Sequence, residues 1–216
     1  MLSLSDARLY GILDLGYVSP REMQRVASAM IEGGVDLLQL RAKNLADREI
    51  EPLAVQLAEI TESAGVPLIL NDHPHLVPSA GAQGAHVGQD DFAVSDARWR
   101  AGRSSGGEIA PPIIGKSTHS LAQAVAAERE GADYIGFGPL FATPTKPGRA
   151  AIGLEAILRA HEEVQIPIFC IGGIKLENLE AVIAAGARRV VIVSGLLMAP
   201  DIAEYAQRAK SMLPCW

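Results

Sequence analysis

The tightest constraint on this chain is a unit that repeats along it. A short run rich in β-branched residues is followed by a longer stretch with apolar residues at helical spacing, then by a glycine and the next run. Parallel strands joined by crossover helices produce this alternation, because each strand has to start again from the same end of the sheet. The runs are Leu9 to Asp14, Val35 to Arg41, Val66 to Asn71, Gly84 to Gly88, Ile113 to Ser117, Tyr134 to Gly138, Pro167 to Gly172 and Val190 to Ser194. Eight is the number at which such a sheet closes on itself. The expected fold is therefore α/β, a single (β/α)8 TIM barrel over residues 1–216, with an open doubly wound sheet as the structural rival.

Local signals support the unit. Ser19 suits an N-cap and Pro20 the first helical position, ahead of Met23, Val26, Ala27, Met30 and Ile31 on one face. Glycines at the helix exits Gly34-Val35, Gly81-Ala82, Gly131-Ala132 and Gly186-Ala187 supply the left-handed residue that turns a helix back toward a strand. Ser120 is placed to cap the helix after strand five. Pro52 lies within the second helical pattern, so that helix is expected to start later than Asp47 or to bend. The stretch from Asp72 to Ala82 leaves room only for a short crossover, and Arg103 to Pro112 reads as a Gly/Ser/Pro-rich loop rather than a domain linker.

Composition narrows the function. No apolar run reaches the roughly 20 residues of a membrane helix, and Met1 to Asp6 has no leader-like pattern, so a cytoplasmic protein is expected. Cys170 and Cys215 have neither metal-ligand nor disulfide-framework spacing and read as inert thiols. A net charge of −6 argues against a nucleic-acid partner. A small anion remains open to such a chain if a few cations gather locally. A homo-oligomer is compatible with this reading.

In a TIM barrel the reacting groups stand at the C-terminal strand ends. Those ends carry Gln39, Arg41 and Lys43 after strand two, Asn71 and Asp72 after strand three, and Gln89, Asp90 and Asp91 after strand four. Lys116, Ser117 and His119 follow in strand five, Thr143, Thr145 and Lys146 after strand six, Gly172 and Gly173 after seven, and Ser194 and Gly195 after eight. Arg41, Lys43 and Lys146 around one space suit a multiply charged phosphate; each alone reads equally as a solvated surface cation.

Two carboxylates ending neighbouring strands, Asp72 and one of Asp90 or Asp91, repel each other unless a hard cation joins them, and Mg²⁺ with a diphosphate fits that need. Asp72 also reads as a turn-forming residue before His73-Pro74. Gly172-Gly173 and Ser194-Gly195 offer backbone amides where barrels of this kind hold a phosphate. The five histidines, His73, His75, His86, His119 and His161, show no zinc-type spacing. His86 and His161 read as structural, and His119 as the one placed for proton work.

Taken in order, Gln39-Leu40-Arg41-Ala42-Lys43, Asn71-Asp72, His86 to Asp91, Gly115 to His119, Gly138-Pro139 through Thr143-Pro144-Thr145-Lys146, Ile171 to Ile174 and Val193-Ser194 resemble the thiamine phosphate synthase family. The resemblance implies a transferase that couples hydroxymethylpyrimidine diphosphate to thiazole phosphate and releases pyrophosphate by a dissociative route. By matching motif it implies that Gln39, Arg41, Lys43, Asn71, Ser117 and Lys146 hold the pyrimidine diphosphate, with Leu40 and Ala42 in the same stretch. It further implies Mg²⁺ on Asp72 and Asp91, and the thiazole phosphate on Thr143, Pro144, Thr145, Gly173, Val193 and Ser194. Arg41, Lys43, Ser117 and Lys146 are its catalytic set. The chain departs from the family pattern after Asp72, at Pro74, Pro78 and Ser79, and in the extra residues from Arg103 to Pro112.

Two rival readings follow. A thiazole tautomerase shares the resemblance and is associated with a histidine at the His119 motif, but tends to lose the metal and diphosphate residues that are intact here. A phosphate-binding barrel that regulates a partner predicts binding without turnover.

Overall fold

The computed structural model describes residues 4–102, 111–143 and 150–215. Within them the chain forms a closed barrel of eight parallel strands in sequence order, so the open sheet is excluded. The strands are β1 (Leu9–Asp14), β2 (Leu37–Arg41), β3 (Leu68–Asn71), β4 (Gly84–Val87), β5 (Ile113–Thr118), β6 (Tyr134–Phe137), β7 (Ile168–Cys170) and β8 (Arg189–Ile192). Pairing of Leu9, Tyr10 and Gly11 with Val190, Val191 and Ile192 closes the ring.

The helices are α1 (Met23–Glu32), α2 (Asp47–Ser63), α3 (Val77–Ala80), α4 (Val94–Ala101), α5 (Leu121–Arg129), α6 (Ile157–Glu163), α7 (Leu176–Ala184), α8 (Ser194–Leu197) and α9 (Ile202–Met212). The short crossover expected after Asp72 is one 3₁₀ turn, Pro74–Leu76, running into α3. The four exit glycines, Gly34, Gly81, Gly131 and Gly186, have φ of 89°, 70°, 87° and 103°. Ser120 caps α5 by accepting from the Gln123 N–H at 3.2 Å.

The start of α1 differs from the sequence reading, and of the two outcomes expected around Pro52 the later start of α2 is excluded. Ser19 to Glu22 form a turn in which the Ser19 hydroxyl donates to the Glu22 carboxylate, and α1 begins only at Met23. The N-cap of α1 is Glu22, so Ser19 lies three residues too early to cap the helix. Conversely α2 starts at Asp47 and keeps Pro52 inside it. The Glu49 carboxylate accepts from the Ala46 N–H at 3.0 Å while the Glu49 N–H donates to the Ala46 carbonyl at 2.8 Å, which secures the first turn.

Strand alternation sorts the core into two layers. Outward residues such as Leu9, Leu13, Leu38, Leu40, Leu68 and Leu70 pack against the helices. Inward residues Tyr10, Ile12, Leu37, Ile69, Tyr134, Phe169 and Val191 fill the barrel. The Tyr10, Tyr134 and Phe169 rings meet edge-on with centroids 5.4–5.8 Å apart, a favoured aromatic geometry. Gly115 makes this plug possible, since any side chain there would collide with the Tyr134 ring.

At the N-terminal end of the barrel, polar side chains receive N–H groups at or just ahead of the strand starts. Asp36 accepts from the Arg8 and Leu9 amides and from Lys210, Gln83 from the Leu68 amide, and Asp133 from the Ile114 amide and Arg98. Glu128 does the same for Gln165 and Ile166. Among the described residues no helix is long and apolar enough to cross a membrane.

Candidate active site at the barrel mouth

The inward, C-terminal ends of the strands open into one cleft. Gln39, Arg41, Asn71, Ser117, Thr143, Gly173, Val193 and Ser194, all expected from sequence, line it together. Alternation explains the selection on β2: Gln39 and Arg41 point inward, while Leu40 and Ala42 are buried in the layer against the helices. Ala42 and the exposed Lys43 border an adjoining recess with Asp14 and Arg41 at the ends of β1 and β2. Pro144, Thr145 and Lys146 lie outside the described residues.

Arg41 is held in place. Its guanidinium meets the Asp14 carboxylate at 2.5 Å, directly across the β1–β2 pairing, and Asp14 is only 3 % exposed. An ion pair on facing inward positions fixes a long side chain that would otherwise be free to rotate. Asp14 itself adds one more N–H partner, from Gly16 at 2.9 Å.

Beneath the cleft runs a buried chain of hydrogen bonds. The Gln39 amide donates to the Tyr10 hydroxyl at 2.5 Å, and the Tyr10 and Tyr134 hydroxyls are 2.9 Å apart. Tyr134 lies 3.1 Å from His86 Nδ1, and His86 Nε2 lies 2.9 Å from the Ser117 hydroxyl. Burial pushes both phenols above their ordinary range, so both stay protonated. One donor sequence satisfies the whole line: Gln39 to Tyr10, Tyr10 to Tyr134, Tyr134 to His86 Nδ1, and His86 Nε2–H to Ser117. It leaves the Ser117 O–H to donate into the cleft. Gln39 Oε1 is buried there with no protein partner among the described residues.

Asp72 and Asp91 follow β3 and β4, which are paired neighbours in the barrel. Asp72 has φ of 63°, a left-handed conformation rare for a residue with a side chain, and accepts from the Asn71 amide at 2.6 Å. Asp91 is exposed and accepts from the Gly88 N–H at 2.8 Å. Asp90 is exposed beside it. On the opposite side, Gly172 and Gly173 have φ of 102° and 69°, and a side chain at Gly173 would meet Phe141 at 2.7 Å. The Gly173 carbonyl is taken by the Asn178 amide at 2.9 Å, and Ser194 opens the one-turn helix α8. This wall presents backbone rather than cations.

A family model described as thiamine monophosphate synthase matches residues 9–196. The chain belongs to the thiamine monophosphate synthase family. A thiamine-phosphate synthase from Chloroflexus aurantiacus is 39 % identical over 209 residues, covering 96 % of this chain and 93 % of that one. Another, from Thermus thermophilus, is 43 % identical over 180 residues, 83 % of this chain and 82 % of its own. The solved structure of a thiamine phosphate pyrophosphorylase from Pyrococcus furiosus superposes with a TM-score of 0.84 at 28 % identity, covering 97 % of this chain and 96 % of that one.

Within this family member the structure relocates several side chains. Lys116 is buried and turned outward, its ammonium donating to the Phe92 carbonyl at 2.7 Å, so it leaves the mouth entirely. Gln89 donates to the Ser117 carbonyl at 2.6 Å. His86, read from sequence as structural, lines the cleft and holds Ser117; its position two residues ahead of Gly88, at an inward strand site, was the available signal. Asp14 gave a weaker one, as the last residue of the first strand. His119 lines the cleft as expected, with Nδ1 2.5 Å from the Gly138 carbonyl. Burial pushes the Cys170 thiol up to about 12, which keeps it unreactive.

Proposed function

We propose that this chain forms thiamine phosphate by joining hydroxymethylpyrimidine diphosphate to thiazole phosphate. The observation that carries the reading is one cleft with two different walls, each suited to an anion: Arg41 clamped by Asp14 on one side and the Gly172-Gly173 backbone with Ser194 on the other. Two phosphorylated substrates need two such places. Between them, Gln39 Oε1 and the Ser117 hydroxyl offer an acceptor and a donor suited to an aminopyrimidine edge.

In this reading Gln39, Asn71 and Ser117 orient the pyrimidine, while Arg41, Lys43 and Lys146 face its diphosphate. The carbon–oxygen bond to the diphosphate breaks with its electron pair leaving on pyrophosphate. The thiazole nitrogen then donates its lone pair to the pyrimidine methylene cation. Thr143, Pro144, Thr145, Gly173, Val193 and Ser194 hold the thiazole phosphate in line. No protein nucleophile is required; fixed positive charge and a held geometry lower the barrier. Asp72 and Asp91 form an oxygen-only donor pair at the ends of paired strands, the type that suits Mg²⁺. When bound, the ion supplies neutralising charge for the departing diphosphate. A cytoplasmic enzyme acting on small anions rather than nucleic acid accords with the net charge of −6.

His119 in the cleft favours one second reading, proton transfer on a thiazole tautomer. Purified protein mixed with both phosphorylated precursors, with and without Mg²⁺, separates the two. Magnesium-dependent thiamine phosphate is expected. Aromatised thiazole carboxylate phosphate formed from its tautomer without Mg²⁺ supports the isomerase instead, and binding with no product of either kind removes both.

A further inference from the structure

Histidine spacing along the chain shows no zinc pattern, yet the fold builds a ligand set from two segments. Asp47 is the first residue of α2, whereas His73 and His75 flank Pro74 in the crossover after β3. Asp47 Oδ1 lies 3.0 Å from His73 Nδ1, and Asp47 Oδ2 lies 2.7 Å from His75 Nε2. One ligand atom from each of the three residues lies within 4.8 Å of the others. The two imidazoles are inclined at 62° with centroids 5.9 Å apart. Side-chain exposures of 22 % for His73, 38 % for His75 and 53 % for Asp47 leave a path for an ion.

We propose that Asp47, His73 and His75 bind a zinc-class divalent transition-metal ion, separate from the Asp72 and Asp91 pair. Ligand atoms on a tetrahedral Zn²⁺, each about 2.0–2.1 Å from the metal, sit about 3.3–3.4 Å from one another. The two Asp47–His separations, 3.0 and 2.7 Å, lie within about 0.7 Å of that spacing, and a set confined to 4.8 Å needs no pair to close by more than about 1.5 Å. The chemistry also selects. Two imidazole nitrogens and one carboxylate favour zinc, nickel, copper or ferrous ions, whereas Mg²⁺ prefers oxygen donors throughout. Three protein ligands leave a position for water. The ion would tie the start of α2 to the segment that directly follows Asp72, so it acts on the βα loop of the mouth without entering the cleft. The inference does not depend on the reaction assigned above.

The test is titration of untagged, metal-free protein with Zn²⁺ and, separately, Co²⁺, in saturating Mg²⁺ so that the Asp72 and Asp91 pair is occupied. One equivalent per chain is expected, with the visible absorption of histidine-ligated Co²⁺. At a hundredfold excess of Zn²⁺ over its Kd, Tm should rise by about 5–10 °C. His75→Gln and Asp47→Asn should each weaken Zn²⁺ binding at least tenfold, while Cys215→Ser leaves it unchanged. Full binding retained in both ligand variants, loss in Cys215→Ser, or no saturable Zn²⁺ or Co²⁺ binding by the unaltered chain overturns the proposal. Because the Co²⁺ spectrum is read on the unaltered chain, misfolding of a variant leaves the proposal falsifiable.

Discussion

The two ends of this barrel are both rich in charged and polar side chains, and they use them oppositely. At the N-terminal end, Asp36, Gln83, Asp133 and Glu128 spend their oxygens on amides at or just ahead of strand starts, and Asp36 also holds Lys210. At the C-terminal end, Gln39 Oε1 and the Ser117 hydroxyl face a cleft, and Arg41 is braced from behind rather than consumed. The difference teaches that polarity at a strand end does not mark function by itself. What matters is whether the backbone at that end has already claimed it. Strand N-termini begin with unsatisfied N–H groups that carboxylates readily cap, whereas strand C-termini hand their loops and inward side chains to a ligand.

That contrast can be broken by experiment. Asp36→Ala should cost about 3 kcal/mol, since two backbone donors and a lysine lose their shared acceptor, lowering Tm by about 6–12 °C with turnover per folded molecule unchanged. A thermal melt beside a steady-state assay checks both halves. Asp91→Ala should behave in reverse. Turnover of the two precursors should fall a hundredfold or more, about 2.7 kcal/mol, with Tm lowered by no more than about 4 °C because Asp91 is exposed and makes one backbone bond. Comparable Tm losses in the two variants would erase the distinction.

Tyr10→Phe probes the column between the ends. Removing the hydroxyl leaves the Gln39 amide and Tyr134 short of a partner and should cost about 1–2 kcal/mol in stability. If the column positions Gln39, the KM for the pyrimidine diphosphate rises severalfold while that for the thiazole phosphate holds; equal shifts in both would reduce the column to packing.

The smallest effect concerns pH. His161 sits near Arg188 and Arg189 at the N-terminal end, and burial, followed by those two charges, pushes it down from 6.5 to about 4. Between these values the unfolded chain takes up a proton that the folded chain refuses. Its contribution to stability is therefore full above about pH 6.5 and is lost as pH falls toward about 4. Melts of the protein and of His161→Gln across that window should converge at low pH if this holds, and parallel curves would dismiss it.

Much of this molecule is legible in order along the chain. The eight β-branched runs, the exit glycines before Val35, Ala82, Ala132 and Ala187, and the Ser120 cap are local, and local geometry carries them into the structure, the strands shifted or trimmed by up to two residues at their ends. The strand-end positions of Gln39, Arg41, Asn71 and Ser117 follow from a period of two combined with barrel closure. Helix starts were less legible, because α1 takes Glu22 rather than Ser19 as its N-cap, and the Glu49 carboxylate secures the first turn of α2 at Asp47 ahead of Pro52.

Sequence alone thus determined the barrel, its direction and part of the mouth lining, Gln39, Arg41, Asn71 and Ser117 among it, since those depend on periodicity and on turn chemistry within a few residues. Tertiary structure decided the pairings: Asp14 with Arg41, His86 with Ser117, Tyr10 with Gln39, and Asp47 with His73 and His75. It also removed Lys116 from the mouth, although that residue lies next to Ser117 in sequence. The reason is physical. A hydrogen bond or ion pair between residues 26 to 31 positions apart is set by which strands become neighbours and which face each side chain takes, and closure of the barrel settles both at once.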